Sequence, residues 1–324
     1  MLIETISNDS DVRECASIAF TQHISARREL AFLPSRDIES YAGKLAWLAR
    51  EGRLYAARAE PGGPVDAYLG WFALEEFRNI GRAALTPDWG LGTVGLPSQS
   101  FGRSPARAAR ELLRVALADM DAGGLRVHGI GVPSSRPELL EALSLTAYGR
   151  IVLDAAAPAA VLARRLSSAR GSVGVSRATD ADAAALARLD ASLARHIGSS
   201  PVMMPGAHGT DEAGWGEWLR GPEARAFVAR VSGEVIGFIK ADEPGFDVSE
   251  AVHGEETAAI CGLYVDPASR RAGVARALLA ELVLDAVERG KTLVSVDCET
   301  HNPEALGFWT RWFSPVSWSF ERRW

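Results

Sequence analysis

Residues 265–276 read Val265-Asp266-Pro267-Ala268-Ser269-Arg270-Arg271-Ala272-Gly273-Val274-Ala275-Arg276. An apolar run, Ala258 to Val265, leads into this stretch and has the composition of a buried strand. Pro267 forces a turn. Beyond it Leu278, Leu279, Leu282, Val283 and Val287 recur at helical spacing, which predicts a helix from Gly273 to Arg289. The first amides of a helix lack partners within it and carry partial positive charge. They bind phosphate where the main chain can be approached closely. Gly273 and Ala275 permit that approach, and Arg270, Arg271 and Arg276 add positive charge around it.

Working outward, a buried strand is predicted at Leu293 to Cys298, a second helix from Asn302, and a final strand around Val316 to Arg322. Upstream, Ala226 to Val231 and Val235 to Ala241 pair as a hairpin that turns at Ser232-Gly233-Glu234. A short strand, Val173 to Arg177, and an acid-capped helix near Asp180 precede it. The same order occurs earlier in the chain. At an offset of 166 residues, Arg110-Glu111-Leu112-Leu113 falls on Arg276-Ala277-Leu278-Leu279, Gly124 on Gly290 and Pro137-Glu138 on Pro303-Glu304. With one gap, Ala56-Ala57-Arg58 matches Val228-Ala229-Arg230. The ordered matches point to a duplicated unit. The expected organisation is a first unit at 1–154, a connection at 155–172 rich in Ala and Pro, and a second unit at 173–324. Each is a mixed, largely antiparallel sheet flanked by helices, an α/β (α+β mixed) class.

Arg270-x-x-Gly273-x-Ala275 resembles the [QR]-x-x-G-x-[GA] signature of the GNAT N-acetyltransferase superfamily. Leu263-Tyr264-Val265-Asp266-Pro267 is similar to that family's fourth strand and turn, and Asn302 to Trp309 to its N-x-x-A-x-x-F-Y segment. The resemblance covers residues 173–324 well and, through the repeat, extends weakly to 1–154. It implies two tandem GNAT-like units and acetyl-CoA as co-substrate. Backbone amides of Arg271, Ala272, Gly273, Val274, Ala275 and Arg276 would hold the CoA pyrophosphate. Leu263, Tyr264 and Val265 would take the pantetheine arm as an added strand and polarise the acetyl carbonyl. Asn302 would touch the pantetheine, and Trp309 lies where many relatives carry an acid tyrosine. An indole N–H does not replace that acid, which leaves Tyr264 or water to protonate the thiolate.

The implied chemistry is transfer of an acetyl or other acyl group to a primary amine by direct attack, for which a positioned base contributes about 10²–10⁴-fold. Asp297, an acid in an apolar run five residues before Asn302, is the first candidate, since burial would raise its pKa. Glu255 and Glu256 come second. His253, His301 and Cys261 are weaker candidates whose structural roles outweigh catalytic ones. The alternative is a non-catalytic acyl-CoA-binding or interaction module. In the first unit Gly273 is replaced by Arg107, Asn302 by Arg136, Asp297 by Gly131 and Arg270-Arg271 by Ser104-Pro105. That unit is expected to keep the sheet but not to bind CoA in the same way.

Composition narrows the rest. At 324 residues with 47% hydrophobic and 23% charged, the chain has the profile of a globular protein of two domains. A net charge of −6 argues against nucleic acid or anionic membrane as partners. No apolar stretch reaches the ~18 residues of a membrane helix, and the first residues do not read as a signal peptide. Cys15, Cys261 and Cys298 are too few and too dispersed for a disulfide framework or a zinc site, and are expected to be buried, reduced thiols. These features predict a cytoplasmic protein without a metal, monomeric or homodimeric. Residues 242–256 hold six acids and no Lys or Arg, which favours a cationic small-molecule or peptide amine. Residues 199–218, with Met203, Met204, Trp215 and Trp218, offer an apolar wall.

Overall fold

The computed structural model describes residues 1–74, 89–95, 105–125, 127–169, 173–204, 208–222, 224–242 and 249–323. They divide into two units.

The first unit contains strands β1 (Leu2–Thr5), β2 (Arg53–Arg58), β3 (Ala67–Leu74), β4 (Trp89–Gly95) and β5 (Val127–Pro133), and helices α1 (Asp9–Glu29), α2 (Ile38–Glu51), α3 (Pro105–Ala122) and α4 (Pro137–Leu145). β1 to β4 pair antiparallel in sequence order, and β5 runs parallel to β4. Strand alternation divides the core between the two faces. Leu54 and Ala56 of β2 pack with Leu45 and Leu48 of α2 and with Cys15 of α1. Their neighbours Tyr55 and Ala57 pack with Leu112 and Leu113 of α3 and with Leu139 of α4. A strand buried on both faces reads as a continuous apolar run, and Leu54 to Ala57 does so.

The second unit contains β7 (Gly174–Arg177), β8 (Arg225–Val231), β9 (Glu234–Asp242), β10 (Thr257–Val265) and β11 (Leu293–Glu299), with α6 (Ala183–Gly198), α7 (Glu212–Leu219), α8 (Val274–Glu288) and α9 (Pro303–Trp309). The hairpin β8–β9 turns through Ser232 and Gly233, with φ of 52° and 86°, the left-handed pair that a tight two-residue hairpin requires. Leu186 and Leu189 of α6 and Trp215 of α7 pack on Val228, Phe238 and Tyr264. Helix α8 packs on β8, β9 and β10.

Both units close the start of their first long helix with the same ion pair. Arg58 reaches Asp11 at 2.6 Å in the first, and Arg230 reaches Asp182 in the second. These arginines are the pair aligned by the repeat.

Two expectations about boundaries need correction. The Ala/Pro-rich connection is ordered over 155–169. Residues 155–158 complete strand β6 (Gly149–Pro158), and α5 (Ala159–Leu166) and a 3-10 turn, Ser167–Ala169, follow. Alanine is the strongest helix former, and Ala159, Leu162 and Leu166 are buried along α5, so composition alone misread this stretch as a linker. The last strand, β12 (Ser314–Arg323), also departs from expectation. Residues 316–323 belong to the first unit, where β12 runs antiparallel to β5 from Ser317↔Pro133 to Arg323↔Val127. Conversely, residues 153–158 of β6 belong to the second unit.

Candidate functional site

The loop after β10 forms a concave stretch of main chain. Pro267–Ser269 makes one 3-10 turn, Arg270 is extended, and Arg271 and Gly273 take φ of 66° and 84°. Alternation of left-handed residues with ordinary ones turns successive N–H groups to one side, as in anion-binding nests. Gly273 is the N-cap of α8, and no side chain caps this helix. The first intrahelical bond is Ala277 N–H to Gly273 C=O at 3.0 Å, so the amides before it have no partner along the helix. A Cβ placed on Gly273 would meet nothing nearer than the Arg276 guanidinium at 3.9 Å. The space beside Gly273 is therefore open, and a diphosphate fits the donor set.

The three arginines do not share one role. Arg271 and Arg276 are exposed beside the loop. Arg270 is committed elsewhere: its Nε donates to the Val265 carbonyl at 3.1 Å, and its Nη1 donates to Glu304 at 2.6 Å. It ties the end of β10 to the start of α9 and lies 5.5 Å from the centre of the Tyr264 ring.

Next to this loop the sheet opens. β10 pairs with β11 in parallel from Thr257↔Leu293 only to Ile260↔Val296, while on its other side it pairs with β9 as far as Val265↔Gly237. The register of β10 against β9 shifts between Ile260 and Gly262, which makes Cys261 a bulge. Gly262, Leu263, Tyr264 and Val265 thus have one edge without a strand partner in β11. Such an edge accepts an extended, amide-bearing ligand as a further strand. Leu263 is half-buried here, whereas Tyr264 and Val265 are buried.

Asp297 is the first residue of β11 beyond the last paired position and stands half-buried at the mouth of the opening. Glu255 and Glu256 are far from it. They precede Thr257 at the closed end of β10, five residues or about 16 Å along the strand from the bulge. The main-chain carbonyl of Glu256 accepts from Thr292 and Leu293, and that of Glu255 from Lys291 Nζ. His253 lies exposed at the same closed end, and His301 is exposed ahead of α9.

The remaining expected contacts divide differently. Asn302 Oδ1 accepts from the Ala305 amide at 3.1 Å, so this buried side chain caps α9 with Pro303 in the first turn. Trp309 is buried against Phe308 and Phe313, with ring centres 4.8 and 5.6 Å away. Tyr264 is buried in the core cluster beneath α6, with Trp215 and Phe238. Tyr264 and Trp309 are therefore packing groups. Cys15 and Cys298 are buried as expected, and burial pushes the Cys15 thiol up to about 12. Cys261 is exposed because the bulge turns it out of the pleat.

Among the described residues the first unit shows neither the nest nor the bulge. Arg107, at the position of Gly273, lies inside α3, so the turn that makes the nest is helical there. β4 pairs with β3 without a register shift and stays paired with β5 through Thr93↔Gly131. Gly131, at the position of Asp297, also pairs with Ser319 of β12. Arg136 heads α4 without a side-chain cap.

Sequence reasoning missed Lys240. It pairs with Gly262 across β9 and β10, and its ammonium lies 4.9 and 5.8 Å from the ring centres of Trp215 and Trp218. The residues involved are scattered over about fifty positions, and only the register of the sheet assembles them.

Residues 195–314 match the model of the acetyltransferase (GNAT) family. No curated protein matches the sequence. Among solved structures the chain is similar to a GCN5-related N-acetyltransferase from Sphaerobacter thermophilus, with 14% identity, 99% of this chain and 95% of that chain covered, and a TM-score of 0.57. It is also similar to a GCN5-related N-acetyltransferase from Kribbella flavida, with 16% identity, 99% and 71% covered, and a TM-score of 0.39. Among the described residues no helix is long and apolar enough to cross a membrane. The acetyltransferase (GNAT) family model is thus matched within the second unit, over residues 195–314, and the fold of a GCN5-related N-acetyltransferase is shared over the whole length.

Proposed function

We propose that the second unit is an N-acetyltransferase that uses acetyl-CoA and acylates a primary amine by direct attack in a ternary complex. The observation that carries this reading is the pairing of an open amide nest at Gly273 with a strand edge left bare beyond Ile260. The two lie on one chain segment, with only residues 266–270 between them, as a ligand with a diphosphate at one end and an amide-bearing arm needs.

The co-substrate supplies the acyl thioester. Amides of Arg271 through Arg276 hold the diphosphate, with Arg271 and Arg276 as nearby cations. Main-chain groups of Gly262 to Val265 pair with the arm, and an N–H of this edge donates to the acyl oxygen. Holding both reactants in one cleft supplies much of the rate by orientation alone. Asp297, at the mouth of the opening, accepts the proton from the amine. With Tyr264 and Trp309 packed away, water serves as proton source for the departing thiolate.

Burial of Trp309 favours a second reading, a non-catalytic acyl-CoA-binding module. Thiol release from acetyl-CoA across a panel of primary amines separates the two. Turnover with at least one amine, lowered about 10²-fold or more in Asp297→Asn, supports the enzyme. Tight acetyl-CoA binding without release for any amine supports the module.

A further inference from the structure

Lys240 sits in an assembly that its surroundings hold in place from several directions. Trp215 is buried and its Nε1 donates to Asp190 at 3.1 Å, and the same Asp190 oxygen accepts the Thr210 amide at 3.0 Å. The indole N–H of Trp218 donates to Asp242 at 3.2 Å. Trp215 and Trp218 meet edge to face at 5.4 Å, and Trp215 is packed likewise on Phe238 at 5.5 Å. Their ring faces are thereby presented to the Lys240 ammonium. Indole faces attract a cation but leave its N–H groups able to donate.

Two further facts tie this ammonium to the opening in the sheet. Lys240 is the register partner of Gly262, the first residue beyond the Cys261 bulge. A Cβ at residue 262 would come within 3.0 Å of Lys240 Cε, so glycine there leaves room for the lysine stem beside the bare edge. Among the described residues no carboxylate pairs with Lys240: the nearby acids Asp190 and Asp242 accept from the indoles.

We propose that Lys240 recognises a carboxylate on the acceptor, which makes the acceptor an amine of amino-acid type and Lys240 a specificity determinant. This rests on the acyl-transfer reading above. The ammonium of this half-buried lysine, set against two indoles and without a paired carboxylate among the described residues, gains most from a single anionic partner, since a hydrogen bond between charged groups outweighs a neutral one. A phosphate would call for several donors or an arginine fork, and the site offers one lysine between two apolar rings. The acidic stretch that favoured a cationic acceptor does not oppose this. Asp242 is bound to Trp218, Glu255 and Glu256 stand at the far end of β10, and 243–248 lie outside the described residues.

The test uses the full chain loaded with CoA and an L-amino-acid panel alongside the matching amino-acid amides, in wild type, Lys240→Met and Lys240→Arg. Binding by calorimetry and turnover with acetyl-CoA are both read. In wild type at least one amino acid binds about ten- to hundredfold tighter than its amide. Lys240→Met removes that preference, Lys240→Arg retains part of it, and acetyl-CoA affinity stays unchanged in both variants. Amino acids that bind with this preference but are never acylated keep Lys240 in its role and refute the acyl-transfer reading instead. The proposal is overturned if no amino acid is preferred to its amide, or if Lys240→Met weakens both alike. It is also overturned if mass spectrometry finds acetyl on Lys240 itself, which would make this lysine the acceptor.

Discussion

Gly273 takes a φ of 84°, where an L side chain is strained, and the space above it is open. A substitution there therefore acts in two ways. Any side chain adds about 1–3 kcal/mol of backbone strain, and a charged one also occupies the space over the orphan amides. Gly273→Glu is expected to weaken acetyl-CoA by about hundredfold or more, because each lost charge-assisted bond is worth about 1.5–3 kcal/mol. Gly273→Ala, which adds strain without charge, is expected to weaken it far less. Calorimetric titration of both variants decides this, and unchanged affinity in Gly273→Glu would remove the nest from the argument.

Asp182 allows a second prediction at this scale. Burial opposes its charge, but the Thr179 amide and hydroxyl and the Arg230 guanidinium outweigh burial and hold its carboxyl below the ordinary value of 3.8. A carboxyl with a lowered folded pKa adds stability above its unfolded value and loses it as pH falls through the folded one. Asp182→Asn is expected to cost about 1–3 kcal/mol at neutral pH, and the difference should shrink as pH drops below 3.8. Urea midpoints of both proteins across that range test it. A gap that stays constant with pH would show that the ion pair is not its source.

Residue types announced the nest because its chemistry is local. A proline, small residues and a glycine at fixed spacing leave few other conformations. They could not announce that Arg270 is committed to Glu304, or that Asn302 spends its carboxamide oxygen on its own helix. Those are contacts between segments, or choices between partners that one residue type serves equally well.

Among elements, α9 is held at its start by Asn302, and its capping bond is the main prediction at this scale. Loss of an N-cap costs about 0.5–2 kcal/mol. Asn302→Ala is expected to lower stability by that amount while leaving acetyl-CoA affinity within about twofold, and Asn302→Ser is expected to restore most of the stability. Should Asn302→Ala instead weaken acetyl-CoA tenfold with stability intact, the side chain would be a ligand group and not a cap. Much of the helix and strand order was legible in both units, from hydrophobic period and from the turn at Ser232-Gly233, but α2 and α7 were not read as helices. The opening between β10 and β11 was not. It depends on where a parallel pairing stops, at Ile260↔Val296, and nothing in either strand's apolar pattern marks that residue.

For the whole molecule, a duplicated unit predicts two equal sites, and the chain departs from that in both copies. The nest and the bulge occur in the second unit, while among the described residues of the first Arg107 lies inside α3 and β4 pairs with β3 without a register shift. One acetyl-CoA per chain is therefore expected. The last strand separates the two units experimentally. β12 comes after the second unit in sequence, yet its Phe320 is buried in the first unit's core with Leu112, Leu139 and Ile130. That destination is illegible locally, because β12 pairs with a strand almost two hundred residues earlier and an alternating strand carries no label for its partner. Deleting a buried phenylalanine side chain costs about 3–5 kcal/mol. Phe320→Ala should thus destabilise the unit formed mostly by residues 1–152, although the substitution lies near residue 324. Acetyl-CoA, by contrast, stabilises only the fold that binds it, by an amount that grows with its concentration. Hydrogen exchange with and without the ligand reads both effects at once. Phe320→Ala should speed exchange in β2, β3 and β5 and leave β10 and α8 protected, and saturating acetyl-CoA should slow β10 and α8 without rescuing β5. Faster exchange confined to β10 and β11 in the variant would instead make Phe320 a support of the second unit and place β12 in the wrong core.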